Sequence, residues 1–76
     1  MKLIISATPF DAATISVVNG DDVIASKRVF GPQIKESIDE AFSNYYIEAV
    51  QMVEHTVYTQ KFVDYIEEKY KNVEVI

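Results

Sequence analysis

The sequence predicts an α/β protein: a mixed five-stranded sheet with its elements in the order βββαβαβ. Three observations carry this expectation. Residues 1–30 hold three runs of alternating apolar and polar positions separated by turn signals. Two later segments repeat apolar residues at helical spacing, and the chain closes on "NVEVI", where Val73 and Val75 alternate with Glu74. At 76 residues this is one domain, 1–76, whose fold buries only about 60 % of the unfolded chain's surface.

The first strand runs from Lys2 to Ala7 and the second from Ala12 to Val18, with Ala13, Ile15 and Val17 alternating against Thr14 and Ser16. The polar turn "SATPFDAAT" joins them. "NGDD" opens with Asn-Gly, a pair that tolerates positive φ and marks a hairpin, so the third strand, "VIASKRVF", completes an antiparallel meander over 1–30.

"GP" at 31 and 32 ends the third strand and supplies a proline suited to a first helical turn. Ile34, Ile38, Ala41, Phe42 and Tyr45 then give a helical stripe within 31–46. Residues 47–54 alternate as a strand does, although Ala, Gln, Met and Glu also suit a helix. From 56 to 71 a second helix is expected, with Tyr58, Phe62, Ile66 and Tyr70 stepping by four beside Val63, and 72–76 closes as a strand. If 47–54 is helical instead, the alternative is a β-meander packed on a helical hairpin.

Composition narrows the function classes. Twelve acidic against seven basic residues give a net charge of -5, which makes direct binding to a nucleic-acid backbone unfavourable. There is no cysteine, hence no disulfide, thiolate ligand or thiol nucleophile. The four-residue apolar run at the start is too short for a secretory signal and no stretch has membrane-spanning length, so a cytoplasmic, non-membrane protein is expected.

The element order resembles that of the ribonuclease H-like fold, and "LIISATPFDAATISVVNGDDVIASKRV" is similar to the opening hairpin of actin-like domains. The resemblance implies a first-strand Asp, an acidic residue near the end of the fourth strand and further carboxylates, which together hold two divalent metals in nucleases of this fold. Here the first-strand position is Ser6 or Ala7, the second is matched by Glu54, and the later ones have no counterpart. One carboxylate does not make a two-metal site. No metal or cofactor is expected.

The remaining candidates for chemistry are Asp11 on the first turn and the pair Glu54 and His55 at the end of the fourth strand. The physical argument that reaches furthest concerns the faces of the sheet. With Leu3, Ile5, Ala13, Ile15, Val17, Val23 and Val29 toward the helices, the other face carries Ile4, Val18, Ile24, Val50 and Met52 among hydroxyl residues, and two helices cannot cover both faces. Ile4, Ile24, Val50, Met52 and Tyr65, which falls off the second helical stripe, are therefore the expected interface residues. The function expected is that of a small acidic, non-catalytic interaction or regulatory protein, self-associating as a homodimer. The alternatives are a divalent-metal-dependent nuclease or phosphohydrolase and an acidic inhibitor that imitates nucleic acid.

Overall fold

The computed structural model describes residues 1–54 and 56–76. Three strands come first: β1 (Lys2–Thr8), β2 (Ala12–Asn19) and β3 (Asp22–Phe30). They are followed by α1 (Gln33–Asn44), β4 (Ala49–Met52), α2 (Val57–Lys69) and a two-residue β5 (Glu74–Val75). The strands lie in the order β3-β2-β1-β4-β5. β1 is antiparallel to β2, β2 to β3, and β4 runs parallel to both β1 and β5. The helical-hairpin alternative is thereby excluded, because residues 49–52 pair with β1 as a strand.

Both turns of the meander use residues that tolerate positive φ. Asp11, at φ 55, turns the chain from β1 into β2, while the Thr8 hydroxyl donates to the Ala12 carbonyl at 3.3 Å. In the second hairpin Asn19 pairs with Asp22, so the two-residue loop is Gly20–Asp21, with Gly20 at φ 64. The Asn-Gly signal therefore locates the hairpin but sits one residue ahead of its loop. A register shift follows at once: Val18 pairs with Val23, Val17 with Ala25, and Ile24 is the extra, bulged residue.

The path of the two crossovers decides where the helices go. β3 and β4 run parallel, and α1 carries the chain from one to the other across β2 and β1; α2 then carries it from β4 to β5, in the same direction along the sheet. Right-handed crossovers that travel the same way put their helices on the same face. The single core agrees: Leu3, Ile5, Ile15, Val17 and Val50 of the sheet pack with Ile34 and Ile38 of α1 and Phe62 and Ile66 of α2. No helix among the described residues is long and apolar enough to cross a membrane.

α2 shows how local chemistry redirects a helical stripe. Thr56 is its N-cap, and Thr59 completes a capping box in which each threonine side chain bonds the other's backbone. The Thr59 hydroxyl accepts from the Thr56 amide at 2.9 Å and donates to the Glu54 carbonyl at 2.6 Å. That commitment buries Thr59 completely and turns Tyr58 outward, 39 % exposed, so the buried face is Thr59, Phe62, Val63 and Ile66, without the expected Tyr58. The last strand is also shorter than 72–76. The Ile76 amide nevertheless bonds the Val50 carbonyl at 2.9 Å and extends the β4–β5 pairing by one residue.

The two helices are fastened to each other by a polar clamp. Asp39 of α1 accepts from the Tyr65 hydroxyl at 2.9 and 3.0 Å and from the Tyr70 hydroxyl at 2.8 Å, and pairs with Lys69 at 3.0 Å. Phe42 stacks on Tyr70 with ring centroids 3.9 Å apart. Burial pushes the Asp39 carboxyl up, but the hydrogen bonds from Tyr70, Lys69 and Tyr65 outweigh it and hold the group below its ordinary 3.8. Burial and the hydrogen bond to Asp39 raise Tyr70, and the bond to Asp39 raises Lys69.

Two outcomes follow. Replacing Thr59 by Val removes the buried hydroxyl and leaves the Thr56 amide and the Glu54 carbonyl without it, so chemical denaturation is expected to show a loss of about 1–3 kcal/mol. Asp39→Asn separates the clamp's charge from its shape. Because the folded carboxyl titrates below its unfolded value, the stability it contributes is complete above about pH 3.8 and is lost as pH falls through the depressed value. The difference in denaturation midpoint between wild type and Asp39→Asn should therefore be constant from pH 7 to about 5 and shrink toward pH 2; a pH-independent difference would assign the clamp's worth to packing alone.

Candidate functional site

With both helices on one side, the other face of the sheet is bare, and the pairing register states what it carries. Its rows, from β3 inward, are Phe30, Ala12 and Thr8; Arg28, Thr14 and Ser6; Ser26, Ser16, Ile4 and Gln51; and Val23, Val18, Lys2 and Ala49. The Ser16 and Ser26 hydroxyls bond each other at 2.9 Å across β2 and β3. Hydroxyl and apolar side chains alternate over the surface, Val23 is 63 % and Phe30 55 % exposed, and Arg28 lies over the Phe30 ring at 5.7 Å.

Several expected face assignments need correction. Val50 pairs with Leu3 and Met52 with Ile5, and partners in register share a face, so both belong to the helical side. Val50 is fully buried and cannot be an interface residue; Met52 is half-buried at the end of β4. Their places on the bare face are taken by Ala49 and Gln51. Val23, expected in the core, is moved to the bare face by the bulge, and Ala25 takes its place against the core. Ile4 is half-buried on the bare face and Ile24 is exposed at the bulge. Tyr65 is half-buried with its hydroxyl committed to Asp39, which makes it a helix–helix contact.

Asp11 and Glu54, the described residues among those singled out for chemistry, each serve the backbone of a turn. Asp11 holds the turn: its carbonyl accepts from the Gly31 amide at 2.8 Å, and its carboxylate, largely exposed, lies 3.9 Å from the Lys61 ammonium. Glu54 is exposed, and its carbonyl accepts from Thr59 and from the Thr56 amide. His55 lies outside the described residues. Among the described residues no group of three or more His, Cys, Asp or Glu side chains is arranged to hold a metal ion. Ser6 is on the bare face and Ala7 is buried, so the first-strand position contributes no carboxylate to either side.

A feature that the sequence reading missed is a cleft of about 130 Å³ between α1 and the β2–β3 hairpin. Ile15 and Val17 form its floor, and Lys27 and Glu40 bridge its mouth at 3.4 Å. Its one advance signal is Ser37, a buried hydroxyl in the middle of an apolar stripe, where the helix stands away from the sheet.

The face assignment is testable by a pair of substitutions of the same kind. Val50→Asp places an unpaired charge in the core and is expected to cost about 3–5 kcal/mol, enough to unfold a domain of this size. Ile4→Asp, one strand away on the bare face, should leave a folded protein by circular dichroism. Equal effects at the two positions would reverse the assignment. No family model, curated protein or solved structure matches the chain.

Proposed function

We propose that this chain is a non-catalytic interaction protein of the cytoplasm that associates with a second copy of itself through the bare face of the sheet. The observation that carries the reading is the one-sided placement of α1 and α2, which leaves exposed Val23 and half-buried Ile4 on a face that no described element covers, with Val18 already buried between them. A sheet buries such a face against another element or another molecule. The wider kinship proposed is with ribonuclease H-like domains, as a minimal member without the catalytic carboxylates; it rests on the succession βββαβαβ and on the opening hairpin.

The two alternatives draw less from the side-chain geometry. For a metal-dependent nuclease or phosphohydrolase, Asp11 and Glu54 would have to converge, yet the Asp11 carboxylate faces Lys61. For an imitation of nucleic acid, a continuous acidic track is needed, yet Asp39 pairs with Lys69 and Glu40 with Lys27.

Sedimentation equilibrium at tens of micromolar is expected to give twice the 8.7 kDa chain mass. The double substitution Ile4→Glu and Val23→Glu, which sets like charges on both copies of the face, should return the protein to a monomer without loss of secondary structure. A wild-type monomer at that concentration would remove the second copy as partner.

A further inference from the structure

The cleft beside α1 lies against the free edge of the sheet. β3 pairs with β2 on one side only, so its other side presents backbone N–H and C=O groups without strand partners. The bulge at Ile24 disturbs the start of this edge, but from Ala25 to Phe30 the strand is regular. Ala25 and Lys27 of that stretch form one wall of the cleft, and Ser37 and Glu40 of α1 form the other. A free edge backed by a helix, with an apolar depression between them, has the elements that strand addition uses: backbone pairing supplies affinity, and a pocket for alternate side chains supplies specificity.

We propose that β3 and α1 together bind an extended peptide segment of a partner protein, which adds to the sheet as a sixth strand and lowers one apolar side chain into the cleft. A volume of about 130 Å³ is close to that of cavities that accept a benzene-sized group, which suits a side chain of valine or leucine size. Access requires the Lys27–Glu40 pair to part. Both side chains are about half exposed or more, and ion pairs of that kind are weak. Arg28, the next residue along the edge, makes no carboxylate ion pair among the described residues. It therefore selects a peptide with Asp or Glu near the apolar anchor.

The same charges argue against a second copy of β3 as occupant. The two antiparallel registers that overlap the regular edge most fully while keeping the helices on one side set Lys27 opposite Lys27, or Arg28 opposite Arg28. Like charges directly opposite are destabilising. The edge therefore favours a different chain; its backbone groups and its cleft lie apart from the sheet face proposed for self-association, and Arg28, which stands on that face, is the one residue the two surfaces share.

The test is a selection of random nonapeptides displayed on phage against the full chain, followed by NMR titration of a selected synthetic peptide into isotope-labelled protein. The expected peptides carry an apolar residue close to Asp or Glu, and they shift amides from Ala25 to Phe30 and along the cleft side of α1. Ala25→Leu, which fills the cleft from the strand side, and Arg28→Glu should each weaken binding by about tenfold. Ala25→Leu should also leave the sedimentation behaviour unchanged, which separates this proposal from that of self-association. If Ala25→Leu fails to fold, the exposed Arg28→Glu carries the result. Shifts confined to the bare face or to α2, unaltered binding by the folded variants, no selected peptide, or edge amides that move with the protein's own concentration would each overturn the proposal.

Discussion

The parallel pairing of β1 with β4 is the contact on which the rest of the structure depends. Leu3 meets Val50 and Ile5 meets Met52, so the two innermost strands of the sheet share one apolar face. Parallel strands cannot be joined by a tight turn, and the chain must cross over through a helix. It does so twice in the same direction, and the handedness of each crossover then commits both helices to the side on which Leu3, Ile5 and Val50 already lie. The bare face is the other half of that solution. A third helix, or a crossover in the reverse direction, would be needed to cover it.

What the sequence made legible was local. The period-two runs of β1 and β2, the helical spacing of Ile34, Ile38 and Ala41, and the existence of the Gly20 hairpin each depend on neighbours within a few residues, and each is found close to where the pattern placed it. What it hid was relational. The face on which Val50 lies is set by its register with Leu3, some 47 positions earlier in the chain, and residues 47–54 read equally well in either phase. The bulge at Ile24 reverses the phase of Val23 without changing composition, and nothing in "VIASKRVF" announces it. Thr59 displaces Tyr58 from the core because a capping hydroxyl outranks an aromatic ring at the first turn, a competition between hydrogen bonding and area that spacing alone does not register.

The small core explains why so much of the helix–helix contact is polar. A chain of 76 residues has few apolar side chains to spend between α1 and α2 once the sheet has been covered. Asp39, Tyr65, Tyr70 and Lys69 supply the connection instead, with Phe42 stacked against it. Tyr65, expected at an outward interface, is thus engaged inside the molecule. The cluster is part-exposed, with the Asp39 side chain 34 % and the Lys69 side chain 48 % exposed, and every member of it has a partner.

The distribution of charge turns the one-sided architecture into a molecule with two unlike sides. β1, β2 and β3 carry Lys2, Lys27 and Arg28 against the single acid Asp22, whereas α1 carries Glu36, Asp39 and Glu40 against Lys35 alone. The net charge of -5 is therefore concentrated away from the meander. An acidic segment meets less repulsion at the outer side of β3 than along α1, so the peptide proposed for that edge would set its acid toward Arg28 and meet α1 only through its apolar anchor. The same separation limits how two copies can meet, because any arrangement that brings Arg28 of one protomer against Arg28 of the other gives up part of what the apolar rows gain. A face-to-face dimer that keeps Val23, Val18 and Ile4 in contact while offsetting the arginines meets both requirements, and it leaves the outer side of β3 free.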